Sequence, residues 1–391
     1  MSKINKIFKL FLVVCLLSAT SCDNDLTEIN QNPNGVDPSQ GNPSFLLTQV
    51  MVNTALDVGN KGYSGELSAF VQYTQKDSWG NNNYDWDGNG WNTYYGNLRS
   101  AKLALQRSQE LGYTLHEAIA QILMAQNFVT LADYYGDVPY SNAVQADEDV
   151  ILPTYDSQEA VYKGAIADFV AAAASISSNM GNLEAFGASQ DIFFGGDAEK
   201  WMKYANSLAL RYYMRLSEKD PSYAQAGVTA TLAKPLISSV DEECALEYTG
   251  TDNDSSQPSN SSTGGASAFN RVKPCTTFTD RLRELNDPRA SIWFAPVAIP
   301  IKVVAAADVP GGADDVVVDG VRYINEETLA ANGLKIYDKT TWKADRLAGL
   351  SLVDTSSTYV GIPVSYQGSE PYTYNLNPNP VQGGGNVHVS L

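Results

Sequence analysis

The chain has 391 residues, 43% of them hydrophobic, and its 44 acidic against 26 basic residues give a formal net charge of −18. This length allows one large domain or two or three small ones. A surface with this acidic charge would repel nucleic acid and anionic lipid head groups, and we therefore expect no nucleic-acid partner. Two histidines against 22 Tyr, 6 Trp and 12 Phe favour a contact surface over histidine-based catalysis.

Residues 1–21 are predicted to be a lipoprotein signal peptide that is cleaved before Cys22. Three lysines precede an apolar run at 10–17. A helix of that length would be about 12 Å long, whereas a bilayer core is about 30 Å thick, so the run is too short to span a membrane. Small residues at 18–21 lead to the thiol, so cleavage would leave Cys22 as an acylated, membrane-anchored N-terminus. The alternative is an ordinary secretory signal with an incidental cysteine.

The mature chain is predicted to begin with a polar tether over 22–43. It contains Asn-Pro-Asn-Gly at 32–35 and two further prolines, which favour a loop. Apolar residues at helical spacing then predict helices over 44–57 and 65–76.

Residues 79–95 carry the best candidate for a ligand site. Trp and Tyr are interleaved there with Asn, Asp and Gly. Aromatic rings stack on the apolar face of a pyranose, while amides and carboxylates bind its hydroxyl groups. Three rings of this segment are predicted to form a sugar-binding platform: Trp79, Tyr84 and Trp86. The alternative is that these rings pack the loop against the helices.

Four longer helices form the centre of the predicted fold. Their expected bounds are 91–111, 114–135, 157–177 and 198–217. Thr114 and Asp156 are predicted N-caps, each with a Glu three residues later. Trp91, Tyr94 and Tyr95 at the start of the first helix are expected to be buried. An aromatic stripe of the fourth helix is also expected to be core: Trp201, Tyr204, Ala205, Leu208, Tyr212 and Leu216. Two antiparallel pairs of this length predict a mainly helical fold of tetratricopeptide-like helix pairs, with the helical region over 44–220.

The rest of the chain, 221–391, is predicted to be a loop-rich part of the same domain. A surface loop is expected at 249–268, a short helix at 276–286 and a hairpin at 316–323 about the Asp319-Gly320 turn. The segment 350–391 shows no helical periodicity.

Two cysteines remain once the signal peptide is removed and Cys22 carries lipid. In an exported protein Cys244 and Cys275 could form a disulfide that closes a loop of about 30 residues. The alternative is two unpaired, buried thiols.

No motif predicts a metal, a cofactor or a catalytic centre. Asp85–Gly90 is similar to the opening of an EF-hand loop, but Gly96 stands where the bidentate Glu is required, so a solvated turn is favoured. His116 is predicted to be a surface or half-buried helix residue and not a ligand or base. The hydrolase and phosphate-loop motifs are absent from the sequence.

Short phrases spread over the mature chain resemble the SusD/RagB family of outer-membrane lipoproteins, in its SusD-like branch. They are the acids after Cys22, Asn30–Asn34, Gly-Asp-Val-Pro-Tyr at 136–140, Asn-Asp-Pro-Arg at 286–289 and Tyr-Val-Gly-Ile-Pro at 359–363. The resemblance implies a SusD-like helical fold and anchoring in the outer membrane. It also implies a role as a nutrient-capturing, non-enzymatic partner of a SusC-like TonB-dependent transporter.

The resemblance further implies a helical pair beyond the point that matches Asn386–Ser390. The sequence stops at Leu391, so we expect either a fragment or a protein without that closing pair.

Three functions follow from these patterns. The first is capture of a nutrient, most simply an oligosaccharide but also a peptide, for a transporter. The second is a surface glycoside hydrolase, since any of the 44 carboxylates could form an acid–base pair. The third is a structural or adhesive surface lipoprotein.

Overall fold

A computed structural model describes residues 41–63, 66–76, 90–247, 272–294 and 300–331. It also describes 334–336, 338, 340, 341, 344, 345, 348, 351–353, 355, 359 and 361. Cys22 and the predicted 249–268 loop lie outside these residues.

The described chain is mainly helical, as predicted. The helices are α1 (Pro43–Tyr63), α2 (Glu66–Phe70), α3 (Asn92–Leu111), α4 (Thr114–Tyr135), α5 (Gln158–Asn179), α6 (Ala198–Arg215), α7 (Pro221–Leu232), α8 (Thr276–Glu284), α9 (Ala290–Trp293) and α10 (Glu326–Ala331). The strands are β1 (Thr74–Lys76), β2 (Val138–Pro139), β3 (Tyr155–Asp156), β4 (Val272–Pro274), β5 (Ile301–Val304), β6 (Asp315–Val318), β7 (Val321–Asn325), β8 (Leu334–Ile336) and β9 (Ser351–Val353).

Six helices form the main body, and each packs against its neighbour in the order α1, α3, α4, α5, α6, α7. Their facing sides share one apolar core that includes the fully buried Leu98, Leu123 and Phe169. This sequential packing is how helix pairs in a solenoid bury their apolar faces. The aromatic stripe of α6 is core, as predicted, with Trp201 and Tyr212 buried.

The predicted end of α3 is confirmed, but the predicted cap of α4 is wrong. Gly112 adopts a left-handed conformation (φ 69°) and its amide donates back to Gln109, which ends α3. Helix α4 begins at Thr114, and the N-cap position is held by Tyr113, which makes no side-chain cap hydrogen bond. Instead Glu184, from the chain between α5 and α6, accepts the backbone amide of His116 at 2.9 Å. A distant carboxylate thus supplies what the local sequence was expected to supply.

The cap of α5 is also displaced by one residue. Ser157 accepts the amide of Ala160, whereas Asp156 accepts the amides of Tyr140 and Ser141 and closes the preceding loop. Asp156 and Ser157 are adjacent and both side chains can cap a helix, so the sequence pattern alone does not distinguish between them.

The predicted loop-rich part begins with a helix. Pro221 occupies the first turn of α7 and Asp220 caps it, which is a favourable start because proline has no amide to satisfy there.

Helix α5 is long and apolar enough, by length and composition, to cross a bilayer. Its residues Val161, Ile166 and Phe169 are fully buried in the main core. Within the described residues, α5 therefore has the packing of a core helix between α4 and α6.

The predicted helix at 65–76 is short and gives way to a strand. Helix α2 ends at Phe70, and β1 pairs antiparallel with β4, with Thr74 opposite Pro274. This pairing joins two segments that are distant in sequence, so local periodicity could not indicate it.

A small sheet module forms a second core. The predicted hairpin is confirmed: β6 and β7 are antiparallel about Asp319 and Gly320, both with positive φ. Strand β5 adds in parallel to β7, and β8 pairs in parallel with β9. Ile301, Ile324 and Leu329 pack together in this module.

Cys244 and Cys275 are free thiols in the structure, so the disulfide alternative is not realised there. Cys244 packs against the main helical core, while Cys275 is fully buried at the start of α8. Burial raises the pKa of each thiol to about 12, which keeps both protonated and unreactive at neutral pH.

Candidate ligand-binding site

The three rings predicted from the sequence, Trp79, Tyr84 and Trp86, lie outside the described residues. So does the EF-hand-like segment apart from Gly90. The described chain reaches Lys76 at the end of β1 and resumes at Gly90, just before α3. Aromatic residues occur on both sides of this interval.

The first group is a column of stacked side chains, which we call the aromatic column: Tyr73, Phe278, Trp293 and Arg289. The Tyr73 and Phe278 rings are nearly parallel, with centroids 4.7 Å apart and planes 16° apart. The Phe278 and Trp293 centroids are 5.8 Å apart at 29°. The Arg289 guanidinium lies 4.7 Å from the Trp293 ring and ends the column with a cation–π contact.

The pairing of β1 with β4 brings the column together. The amide of Cys275 donates to the carbonyl of Tyr73 at 2.8 Å, which places the start of α8, and with it Phe278, beside Tyr73. Gly361 lies against this junction, where an added Cβ would come within 2.5 Å of the Cys275 and Thr276 backbone. Only glycine permits so close an approach to the neighbouring backbone, and Gly361 is the glycine of the Tyr-Val-Gly-Ile-Pro phrase at 359–363.

Tyr73 is the open end of the column. Phe278 covers one of its faces, yet 50% of the residue is exposed. Phe70 and Val71, which precede it, are 57% and 49% exposed. A half-exposed ring held on one side is suited to stacking on a planar or pyranose ligand, because its orientation is already fixed.

The Asn-Asp-Pro-Arg phrase at 286–289 forms the turn that positions Arg289 at the other end of the aromatic column. The Asp287 carboxylate accepts the backbone amide of Arg289 at 2.9 Å and its Nε at 2.9 Å. These hydrogen bonds fix the guanidinium over Trp293. The side-chain bond from Arg289 is the main cause that lowers the pKa of Asp287 to about 2.

We expect Asp287 to stay ionised well below the pH at which an ordinary aspartate is protonated. Its folded pKa of about 2 lies below the unfolded value, which is about 3.9. The pair therefore stabilises the turn above pH about 4, and this contribution is lost as the pH falls towards 2. The check is the midpoint of the Asp287 carboxyl resonance in an NMR titration. Arg289→Gln should raise that midpoint by about one unit or more.

Arg281→Gln is the control for this titration, because Arg281 is exposed on α8 and pairs with Glu284. It should shift the midpoint much less than Arg289→Gln. A wild-type midpoint near 4 would contradict the prediction.

A second group of rings follows the interval, and we call it the Trp91 cluster. Trp91 contacts Tyr95, Tyr135 and Tyr155 with centroid distances of 5.8, 5.6 and 5.8 Å. Tyr94 is buried, as predicted, while Trp91 and Tyr95 are partly buried against the core. Tyr155 is 62% exposed and is the accessible member.

Sequence reasoning missed most of the aromatic column. The sequence predicts a short helix over 276–286, which contains Phe278, and a helix over 65–76, which contains Tyr73. The Asn-Asp-Pro-Arg phrase at 286–289 and the Tyr-Val-Gly-Ile-Pro phrase at 359–363 are the sequence signals that lie in this region. The rings come from separate parts of the chain, so no local spacing could group them.

His116 is buried, so the prediction of a surface or half-buried position is wrong. It is 1% exposed beneath the Phe186 ring, with centroids 4.5 Å apart. Its Nδ1 bonds Glu184 at 2.7 Å and its Nε2 bonds Ser44 at 2.9 Å. Serine, histidine and a carboxylate are also hydrogen-bonded in this order in the catalytic triad of hydrolases. Here the His116 ring is buried in the core and Glu184 also caps α4, which favours a structural role for the group. We interpret these hydrogen bonds as a structural contact that holds α1 against α4.

The described residues contain no group of three or more His, Cys, Asp or Glu side chains placed to hold a metal ion. In this part of the chain the aromatic column offers stacking surfaces and a guanidinium. Such a site can bind a ligand with flat apolar faces and hydrogen-bonding edges.

Comparison with known proteins identifies the fold. A SusD-like family model, described as starch-binding and associating with the outer membrane, matches residues 34–306. A SusD homolog from Bacteroides uniformis has a TM-score of 0.53 at 24% identity, over 65% of this chain and 55% of its own. A SusD-like protein from Bacteroidetes has a TM-score of 0.52 at 26% identity, over 66% and 51%. A chitin-binding protein has a TM-score of 0.50 at 24% identity, over 66% and 56%.

The chain thus spans about half the length of these solved structures. A comparison with curated proteins finds no match. The family match covers more than half of the 391 residues and includes the Gly-Asp-Val-Pro-Tyr and Asn-Asp-Pro-Arg phrases. On this match, and on the mainly helical fold that goes with it, the chain belongs to the SusD-like family.

Proposed function

We propose that this protein is a cell-surface lipoprotein that binds an oligosaccharide and delivers it to a TonB-dependent transporter in the outer membrane. Cys22 carries the lipid anchor in this proposal. The protein binds its ligand without chemical turnover.

The observation that carries the proposal is the aromatic column in a chain of the SusD-like family. The family is described as starch-binding, and one solved structure of the same fold is a chitin-binding protein. Both ligands are polysaccharides whose pyranose rings have apolar faces. The column provides a fixed ring for such a face at its Tyr73 end.

The proposed site extends from Tyr73 to the rings predicted from the sequence. Trp79, Tyr84 and Trp86 follow β1 within ten residues of Lys76. We propose that these rings add stacking surfaces to the one that Tyr73 presents. Several stacked rings bind an extended chain of sugars better than one, because each adds its own contact.

We expect Tyr73→Ala to weaken oligosaccharide binding about three- to tenfold, since one ring–ligand contact is worth about 0.5–1.5 kcal/mol. Tyr73→Phe keeps the ring and should bind nearly as tightly as the wild type. Isothermal titration calorimetry with malto- and chito-oligosaccharides measures both. Adding Trp79→Ala and Trp86→Ala to Tyr73→Ala should abolish the measurable heat of binding.

Phe45→Ala is the matched control, because Phe45 is a 63% exposed ring at the start of α1, outside the column. It should leave the affinity unchanged. If the triple variant binds the sugars as tightly as the wild type does, the proposed site is wrong. Heat from a peptide panel alone would make the ligand a peptide, and new reducing ends would indicate a glycoside hydrolase instead.

Delivery is tested separately from binding. Outer membranes of the native host are solubilised in mild detergent, and the tagged protein is purified. We expect a large barrel transporter to copurify. Its absence would contradict the delivery part of the proposal and leave the sugar-binding part standing.

A further inference from the structure

Gln72, which precedes the open ring of the aromatic column, has a left-handed backbone conformation (φ 60°). It follows α2, where the Tyr73 amide donates to the Ser68 carbonyl at 2.8 Å and closes the last turn of the helix. This is a hydrogen bond of the Schellman motif, and glycine is the usual residue at the left-handed position of that motif. A glutamine bears a steric cost there that glycine would avoid, because its Cβ lies close to the backbone carbonyl.

The turn at Gln72 sets the position of Tyr73. The left-handed residue directs the chain from α2 towards β1, and Tyr73 is the last residue before that strand. The Tyr73 amide is bonded to Ser68, and the Tyr73 carbonyl accepts the Cys275 amide at 2.8 Å. Both backbone groups of Tyr73 are therefore held while its ring stacks on Phe278. These contacts explain the backbone conformation, but they do not require a glutamine side chain.

The Gln72 side chain lies beside the stacked rings. The Thr277 hydroxyl donates to Gln72 Oε1 at 3.4 Å. Thr277 precedes Phe278 in the chain as Gln72 precedes Tyr73, so this polar contact runs alongside the contact of the two rings. Thr277 is exposed, and a long hydrogen bond between neutral groups at the surface contributes little stability. The bond is therefore a weak reason for glutamine at a position suited to glycine.

The other end of the Gln72 amide is available to a ligand. Thr277 is the hydrogen-bond partner of the Gln72 side chain among the residues that the structure describes, and it occupies Oε1. The amide nitrogen Nε2 carries two N–H donors. A held amide and the half-exposed Tyr73 ring thus stand next to each other. A sugar needs such a pair, because its apolar face stacks on a ring while its hydroxyl groups bind polar side chains.

We propose that Gln72 is a ligand-binding residue, whose Nε2 donates a hydrogen bond to an edge hydroxyl group of the sugar that stacks on Tyr73. This inference rests on the proposed function and adds a polar contact to the stacking site. One left-handed turn fixes the ring and places the amide at its side. The amide gives the site a preference for rings that carry a hydroxyl group, which stacking alone does not provide.

The first test replaces Gln72 by glycine and measures stability and binding separately. Gln72→Gly keeps the left-handed turn and removes the amide, so it should not lower the midpoint of thermal unfolding. In isothermal titration calorimetry with malto- and chito-oligosaccharides, we expect the affinity to fall about three- to tenfold, which is the effect of one hydrogen bond. An affinity equal to that of the wild type would overturn the inference.

Asp149→Gly is the matched control for this substitution. Asp149 also has a positive φ (65°), is exposed, and lies in the loop between β2 and β3, outside the aromatic column. Glycine relieves backbone strain there as it does at position 72, and it should leave the sugar affinity unchanged. An equal loss of affinity in both variants would show that the loss is not specific to Gln72 and would count against the proposed contact.

A double-mutant cycle separates direct contact with the sugar from an effect through the ring. If Gln72 contacts the sugar, Gln72→Gly should weaken binding by about the same factor in the Tyr73→Ala protein as in the wild type. If Gln72 only positions the ring, the substitution should have no effect once the ring is absent. That second result would refute the hydrogen bond to the ligand.

The same calorimetry distinguishes failure of this inference from failure of the proposed function. Weaker binding by Tyr73→Ala together with wild-type binding by Gln72→Gly would contradict the role of Gln72 alone. A wild-type protein that gives no heat with either sugar would instead contradict sugar binding itself.

Discussion

Replacing Asp191 by alanine is expected to lower the free energy of unfolding by about 4 kcal/mol or more. The carboxylate is 1% exposed and accepts four hydrogen bonds. Three come from backbone amides of the turn before α6, including Gly196 at 2.8 Å, and the fourth comes from the Trp201 indole at 2.8 Å. Alanine would remove the acceptor of all four donors, of which the Phe194 amide and the Trp201 indole are buried. Urea unfolding followed by circular dichroism measures the loss.

Two further variants make this prediction specific. Trp201→Phe removes the indole donor together with part of a fully buried ring, and we expect it to cost about 1–3 kcal/mol. Asp241→Ala removes an exposed aspartate near α6 whose side chain is not part of this network, so it should change stability by less than about 0.5 kcal/mol. If Asp191→Ala unfolds at the same urea concentration as Asp241→Ala, the turn does not depend on this carboxylate.

Replacing Cys22 by alanine is expected to release nearly all of the protein from the outer membrane. The net charge of −18 gives no attraction to anionic lipids, so the acyl chains at Cys22 would supply the direct affinity for the bilayer, apart from any contact with the transporter. Two or more acyl chains anchor a protein firmly. Fractionation of cells labelled with an alkyne-bearing fatty acid measures both the location and the acylation.

Cys15→Ala is the matched control, because Cys15 lies in the apolar run of the predicted signal peptide. It should leave labelling and membrane association intact. Unlabelled wild-type protein, or a Cys22→Ala protein that stays in the membrane pellet, would contradict the lipid anchor.

The central helices could be predicted because their signals are local. Apolar residues recur at helical spacing along α3 to α6, and glycine or proline stands near several of their ends. The Asp319-Gly320 turn predicted its hairpin for the same reason, since the turn type depends on those two residues. The family resemblance also depends on short contiguous phrases, which the family match supports.

The N-caps of α4 and α5 could not be predicted from local sequence patterns. Thr114 and Asp156 have suitable side chains, yet Glu184 caps α4 and Ser157 caps α5. The packing of the surrounding chain decides which acceptor reaches a free helix amide. A pattern of four consecutive residues does not predict that packing.

Local patterns in the sequence predict the main helices and the β6–β7 hairpin, and they carry the resemblance to the SusD-like family, the predicted lipid anchor at Cys22 and the ring-rich segment at 79–95. Long-range packing brings Tyr73, Phe278, Trp293 and Arg289 into one column and buries His116 between Ser44 and Glu184. It also fixes the base of the loop at 140–154 below the exposed Ile151 and Leu152. Helical periodicity and turn chemistry act between residues a few positions apart, whereas these contacts join distant segments whose meeting depends on the packing of the whole chain.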